Sequence, residues 1–189
     1  MCIRDRLFPS LTVSETIAVA FERHLDVRDP FLDIFYTGTV REVEEELAAE
    51  VTALIARFGL ERYRDAFISE LSTGTRRVVE LACVLAHQPS VLLLDEPTSG
   101  IAQRESEAFG RLLLDLRDQS GATFVIIEHD VPLVASIADR LVCLHLGEVI
   151  AEGLSEDVLA DQDVIAAYLG DDAAAIARSG TAKRGPRKA

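Results

Sequence analysis

The chain has 189 residues, about half of them apolar, which suits one domain or a large piece of one and excludes a disordered or collagen-like chain. Its 19 Lys+Arg against 32 Asp+Glu give a net charge of −13, and such an acidic surface repels phosphate backbones, so no nucleic-acid partner is expected. No apolar run reaches the length needed to span a bilayer, and three scattered cysteines (Cys2, Cys83, Cys143) fit neither a disulfide framework nor a zinc site.

The opening Met1-Cys2-Ile3-Arg4-Asp5-Arg6 matches no recognisable element and reads as a truncation junction. Thr12-Val13-Ser14-Glu15 is a capping box, with Ile17, Ala20 and Phe21 following at helical spacing and Asp29-Pro30 as a breaker. A second box, Thr39-Val40-Arg41-Glu42, opens a long helix whose apolar stripe runs through positions 40, 43, 47, 51, 54, 55 and 58 to a C-cap at Gly59. Glu70-Leu71-Ser72-Thr73-Gly74-Thr75-Arg76-Arg77 then precedes a helix with Val78, Leu81, Ala82 and Leu85 on its apolar face. Small residues at 72–75 leave backbone N–H groups bare at a helix N-terminus, a natural anion site; the plain alternative is an ordinary Ser N-cap with a Gly turn.

After Pro89 the texture changes. Val91-Leu92-Leu93-Leu94 predicts a central strand buried on both faces, ending in Asp95-Glu96-Pro97. A helix over roughly Gln103–Gln119 carries Phe109, Leu112, Leu113 and Leu116, and Thr123–Ile127 predicts a second buried strand ending at Glu128-His129-Asp130. Asp130 caps a helix with Pro132 in its first turn. Leu141–His145 and Glu148–Ala151 read as two edge strands joined at Gly147, a helix follows over Val158–Leu169, and residues 171–189 read as a disordered basic tail. Strands alternating with helices indicate a parallel α/β sheet. Two carboxylates at a strand end sit where such sheets bind ligands, one able to hold Mg²⁺ and its neighbour to polarise a water. The plain alternative is a capping Asp and a surface Glu. His129 closes the neighbouring strand and is placed to contact the same phosphate.

The order Leu-Ser-x-Gly-x-x-Arg, helix, apolar strand, Asp-Glu-Pro-Thr-Ser, second strand and His resembles the ATP-binding subunit of ABC transporters. Leu71–Thr75 stands where that family has Leu-Ser-Gly-Gly-Gln, Val91–Asp95 resembles the Walker B strand, and Leu7–Val13 resembles the segment after the Q-loop glutamine. The resemblance runs from about Leu7 to Gly170. It implies an α/β fold, the C-terminal part of an ABC-type P-loop ATPase domain, with a helical subdomain over 7–88 and the α/β half of the core over 89–170. It implies ATP and Mg²⁺ as cofactors, with Ser72, Thr73, Gly74 and Thr75 binding nucleotide, Asp95 holding Mg²⁺, Glu96 as catalytic carboxylate and His129 as switch histidine. The implied partners are membrane permease subunits and a second ATPase subunit, at the cytoplasmic face of the inner membrane. Leu7–Val13 and Val164–Gly170 most resemble ATPases that import branched-chain amino acids. The alternatives are a soluble non-transport ABC ATPase and a non-catalytic interaction module.

The departures bear on activity. The family's Gly-x-x-x-x-Gly-Lys-[Ser/Thr] phosphate loop and its Q-loop glutamine are missing from these 189 residues. Gly180 and Gly185 have the spacing but are followed by Pro186-Arg187 in a tail, and are rejected. Thr73 and Thr75 replace a Gly and a Gln, and Gly100-Ile101-Ala102 stands where the family's D-loop often has an Asp. The chain is therefore expected to be an N-terminally truncated ATPase, inactive alone.

Overall fold

The computed structural model describes residues 7–21 and 37–169. The opening hexapeptide, Asp29-Pro30, Gly170 and the basic tail lie outside them. Two compact units divide between Ile126 and Ile127.

In the first unit, α1 (Val13–Phe21) starts as its sequence requires. Glu15 Oε2 accepts the Thr12 backbone N–H at 2.8 Å, and the Glu15 N–H is donated back to Thr12 Oγ1 at 3.3 Å. The Thr12 backbone and hydroxyl donors hold the Glu15 carboxyl below its ordinary range. α1 buries Val13, Ile17 and Phe21 against α2 (Thr37–Arg57) and α3 (Thr73–Leu85). α2 begins two residues before the expected cap at Thr39 and buries Val51, Leu54 and Ile55. It stops at Gly59, whose φ of +64° suits a residue without a side chain. The Leu60 N–H reaches Ile55 O and the Gly59 N–H reaches Ala56 O, the paired bonds of a Schellman stop.

Backbone bonds then tie 64–69 to the start of the chain. The Val13 N–H is given to Ala66 O, the Ile68 N–H to Leu11 O and the Ser69 N–H to Pro9 O. This docking fixes the segment that leads into α3. α3 buries Val79, Leu81, Ala82 and Leu85; Val78, expected on the same face, is only half-buried.

β1 (Val91–Asp95), α4 (Gln103–Ser120) and β2 (Thr123–Ile127) form a strand–helix–strand unit with the two strands parallel. Burial on both faces was expected of β1 and β2, and the structure corrects it. β1 alternates, with Leu92 and Leu94 buried but Val91 53 % and Leu93 70 % exposed; on β2, Val125 and Ile127 are exposed too. Side chains along a strand point alternately to the two faces, and among the described residues only one face of this two-stranded sheet is packed.

In the second unit, α5 (Val131–Ile137) is capped by Asp130, whose Oδ1 accepts the Leu133 N–H at 3.1 Å. β3 (Arg140–His145) and β4 (Glu148–Leu154) form an antiparallel hairpin. Its two-residue turn puts Leu146 and Gly147 at positive φ, as the twist of a tight hairpin requires. The helix expected over 158–169 is broken into α6 (Ser155–Leu159), α7 (Gln162–Val164) and a π-helical turn over Ile165–Leu169. The cause is Asp161, whose carboxylate caps α7 by accepting the Asp163 N–H at 2.8 Å and so ends one helix where the next begins. α6 packs on β3, β4 and α5.

Candidate functional site

Ser72 to Thr75 form the first turn of α3. Ser72 is the N-cap: its Oγ accepts the Thr75 N–H at 3.1 Å and shares a hydrogen bond with Thr75 Oγ1 at 3.0 Å. That leaves the Thr73 and Gly74 amides without a hydrogen-bond partner among the described residues. The plain alternative, a Ser N-cap, is thus met in its geometry, and it leaves two donors at the positive end of a 13-residue helix. Gly74 lies against Glu105 in the first turn of α4; a Cβ added there would stand 2.7 Å from Glu105 Oε2. Arg76, on the next turn, donates from Nη2 to Ile68 O at 3.3 Å and Leu71 O at 3.4 Å, pinning the approach to this turn. Arg76 was visible in the motif, but its anchoring role was not.

Asp95 is the last residue of β1 and is exposed, as is Glu96. Buried Leu92 and Leu94 hold the strand down, so the carboxylates emerge together at its C-terminal end. Glu96 has φ +44°, a left-handed backbone that costs a residue with a Cβ of order ~1 kcal/mol. The turn that imposes it is closed by the Ser99 N–H on Glu96 O at 3.1 Å, with Pro97 and Thr98 buried beneath. Nothing in the residue types announced this strain. Among the described residues no three acidic, His or Cys side chains converge as a metal cage. A lone strand-end carboxylate still suits Mg²⁺, which commonly takes one or two carboxylates and completes its shell with substrate phosphate and water.

His129 follows β2, and its side chain is 71 % exposed. It belongs to the second unit, whereas Ser72–Thr75, Asp95 and Glu96 belong to the first. The ABC transporter family profile matches residues 3–99, just over half the chain, from ahead of α1 through the signature turn to the Asp95-Glu96 strand end.

The chain belongs to the ABC transporter family.

A second profile, for branched-chain amino acid ATP-binding cassette transporters, matches residues 148–174. Similar curated proteins are the high-affinity branched-chain amino acid transport ATP-binding proteins LivG of Salmonella typhimurium and BraF of Pseudomonas aeruginosa. LivG is 33 % identical over 88 % of this chain and BraF 34 % over 88 %. The chain spans 65 % of the length of each. Among solved structures, the ADP conformation of MJ1267, an ATP-binding cassette of an ABC transporter, superposes with a TM-score of 0.66 at 28 % identity, covering 86 % of this chain and 64 % of that one. No helix among the described residues is long and apolar enough to cross a membrane.

Proposed function

We propose that the chain is part of the ATP-binding and ATP-hydrolysing subunit of an ABC transporter that imports branched-chain amino acids or similar solutes. The observation that carries the reading is the strand end at Asp95-Glu96, where two adjacent exposed carboxylates follow a half-buried strand and Glu96 is held at φ +44°. Backbone strain of this kind persists where the surrounding structure fixes a side chain for a task. The names of LivG and BraF support the solute class.

In this reading two such subunits hold ATP between them, head to tail. The Thr73 and Gly74 amides and the Ser72–Thr75 turn meet the γ-phosphate held by the opposite subunit's phosphate loop. Asp95 offers one oxygen ligand to Mg²⁺, which when bound would neutralise charge on the phosphate oxygens. Glu96 takes a hydrogen bond from the attacking water and aligns it with the phosphorus, and His129 steadies the γ-phosphate. Phosphoryl transfer depends mainly on such positioning and charge stabilisation, so losing either should remove most of the rate.

The helical region over 7–88 would dock a permease, which places the subunit at the cytoplasmic face of the membrane. Because no Gly-x-x-x-x-Gly-Lys-[Ser/Thr] run occurs in the 189 residues, this stretch by itself is expected to release no phosphate from ATP. The test is a chimera carrying the phosphate-loop segment of a LivG-type relative ahead of Leu7. It should hydrolyse ATP, and Glu96→Gln in it should abolish turnover while sparing ATP binding.

A further inference from the structure

Glu128 passes unnoticed in the sequence, as the residue between a strand and a histidine. In the second unit its side chain is fully buried (0 % exposed) beside a His129 side chain that is 71 % exposed. It lines a pocket of about 100 Å³ whose other walls include Val131, Leu141, Cys143 and Tyr168, with His129 also on the lining. Burial in this pocket, with Asp161 nearby, pushes the Cys143 thiol above its ordinary range. A carboxylate in such surroundings is costly unless donors meet it. Glu128 Oε2 accepts the His129 backbone N–H at 3.3 Å, and the same oxygen stands 3.8 Å from His129 Nδ1.

We infer that Glu128 is a positioning residue for His129: its buried carboxylate holds the Nδ1 side of the imidazole, keeps the ring proton on Nδ1 and turns Nε2 outward. The inference rests on the reading of His129 as the phosphate contact and says how that ring is set. The two ring nitrogens are distinct, and the hydrogen bond made by one decides what the other presents. At 3.8 Å the pair is longer than a hydrogen bond, so the inference requires the largely exposed ring to close that gap. Nε2 is then the nitrogen offered to a phosphate, bare in the neutral ring and a donor in the imidazolium. The backbone bond from His129 to the same carboxylate keeps that oxygen beside the residue whose ring it meets.

The test reads the His129 tautomer by nitrogen and carbon chemical shifts in labelled 1–189, at about pH 8, above the ordinary histidine range near ~6.5. The signal is assigned by its loss in His129→Ala. In the unsubstituted chain the Nδ1–H form should predominate. Glu128→Met keeps the bulk but removes the acceptor, and the ratio of Nδ1–H to Nε2–H should fall about tenfold, the scale of one charge-assisted hydrogen bond. Glu128→Gln, whose carbonyl still accepts, should retain the Nδ1–H form. A predominant Nε2–H form in the unsubstituted chain overturns the proposal with no variant needed, so a Met variant that fails to fold leaves the test intact. An unchanged ratio in a folded Met variant, or its loss in the Gln variant, overturns it as well. No nucleotide enters the measurement, so its outcome is separate from whether the complete subunit turns over ATP.

Discussion

Helices α1, α2 and α3 and the four strands are all rich in apolar residues, yet they dispose of them differently. Along α1 and the C-terminal half of α2 the stripe is buried: Val13, Ile17 and Ile55 are at most 1 % exposed. Along the strands half of it stays open, at Leu93, Ile127, Val142, Leu144 and Val149. A helix hides its stripe against one neighbour, whereas a strand presents two faces and needs a layer on each. Helices α1 to α3 thus bury a shared core, whereas among the described residues the β1–β2 sheet is packed on one face only.

The largest expected effect sharpens that contrast. Ile17→Ala, at a fully buried position, should cost about 2–5 kcal/mol in urea unfolding. Leu93→Thr, at a 70 % exposed position, should change stability by no more than about 0.5 kcal/mol. A comparable loss at both positions would mean that something covers the sheet face in solution, and the comparison would break.

Gly74→Ala comes next. The added Cβ would meet only the end of an exposed, flexible Glu105 side chain, so the fold should tolerate it. Ala also gains up to about 1 kcal/mol over Gly in helix propensity. Turnover of the phosphate-loop chimera should nevertheless fall, because the methyl group crowds the amides offered to phosphate. Stability kept with turnover lost is the expected pair of readings, and turnover unchanged would remove the α3 turn from the site.

Smaller effects concern pH and thiol chemistry. Glu15 has a lowered folded pKa, so its contribution is present above the ordinary carboxylate range and lost as pH falls through the folded value. Glu15→Gln should therefore lower the Tm at pH 7, and the difference should shrink as the pH falls through the lowered folded value of Glu15. Burial, helped by the nearby Glu80 charge, pushes the Cys83 thiol up to about 12. Cys83 should resist alkylation at pH 8 in the folded chain and react on unfolding, with Cys143 reacting ahead of it.

Much of this was legible in the residues. The Thr12–Glu15 box, the Gly59 stop and the Asp130 cap are local chemistry, decided within a few residues, and each stands where its sequence puts it. The order of strands and helices was legible for the same reason. What failed was long-range. Val91 and Leu93 look like core by type, and only the number of layers around the sheet decides otherwise. The helix expected over 158–169 failed because Asp161 can either sit on a helix surface or cap a new one, and periodicity does not distinguish the two. At the site, Asp95, Glu96 and Ser72–Thr75 were readable from type and order. The left-handed backbone of Glu96 and the burial of Glu128 were not, since both are imposed by neighbours.

The most direct test of the central proposal is phosphate release by the chimera, with its phosphate-loop segment ahead of Leu7, measured beside the same protein carrying Glu96→Gln. ATP binding is read in parallel on both. The account predicts turnover in the first, none above background in the second, and ATP bound by both. Turnover that survives Glu96→Gln would contradict it, because the strand-end carboxylate would then not be the group that aligns the water.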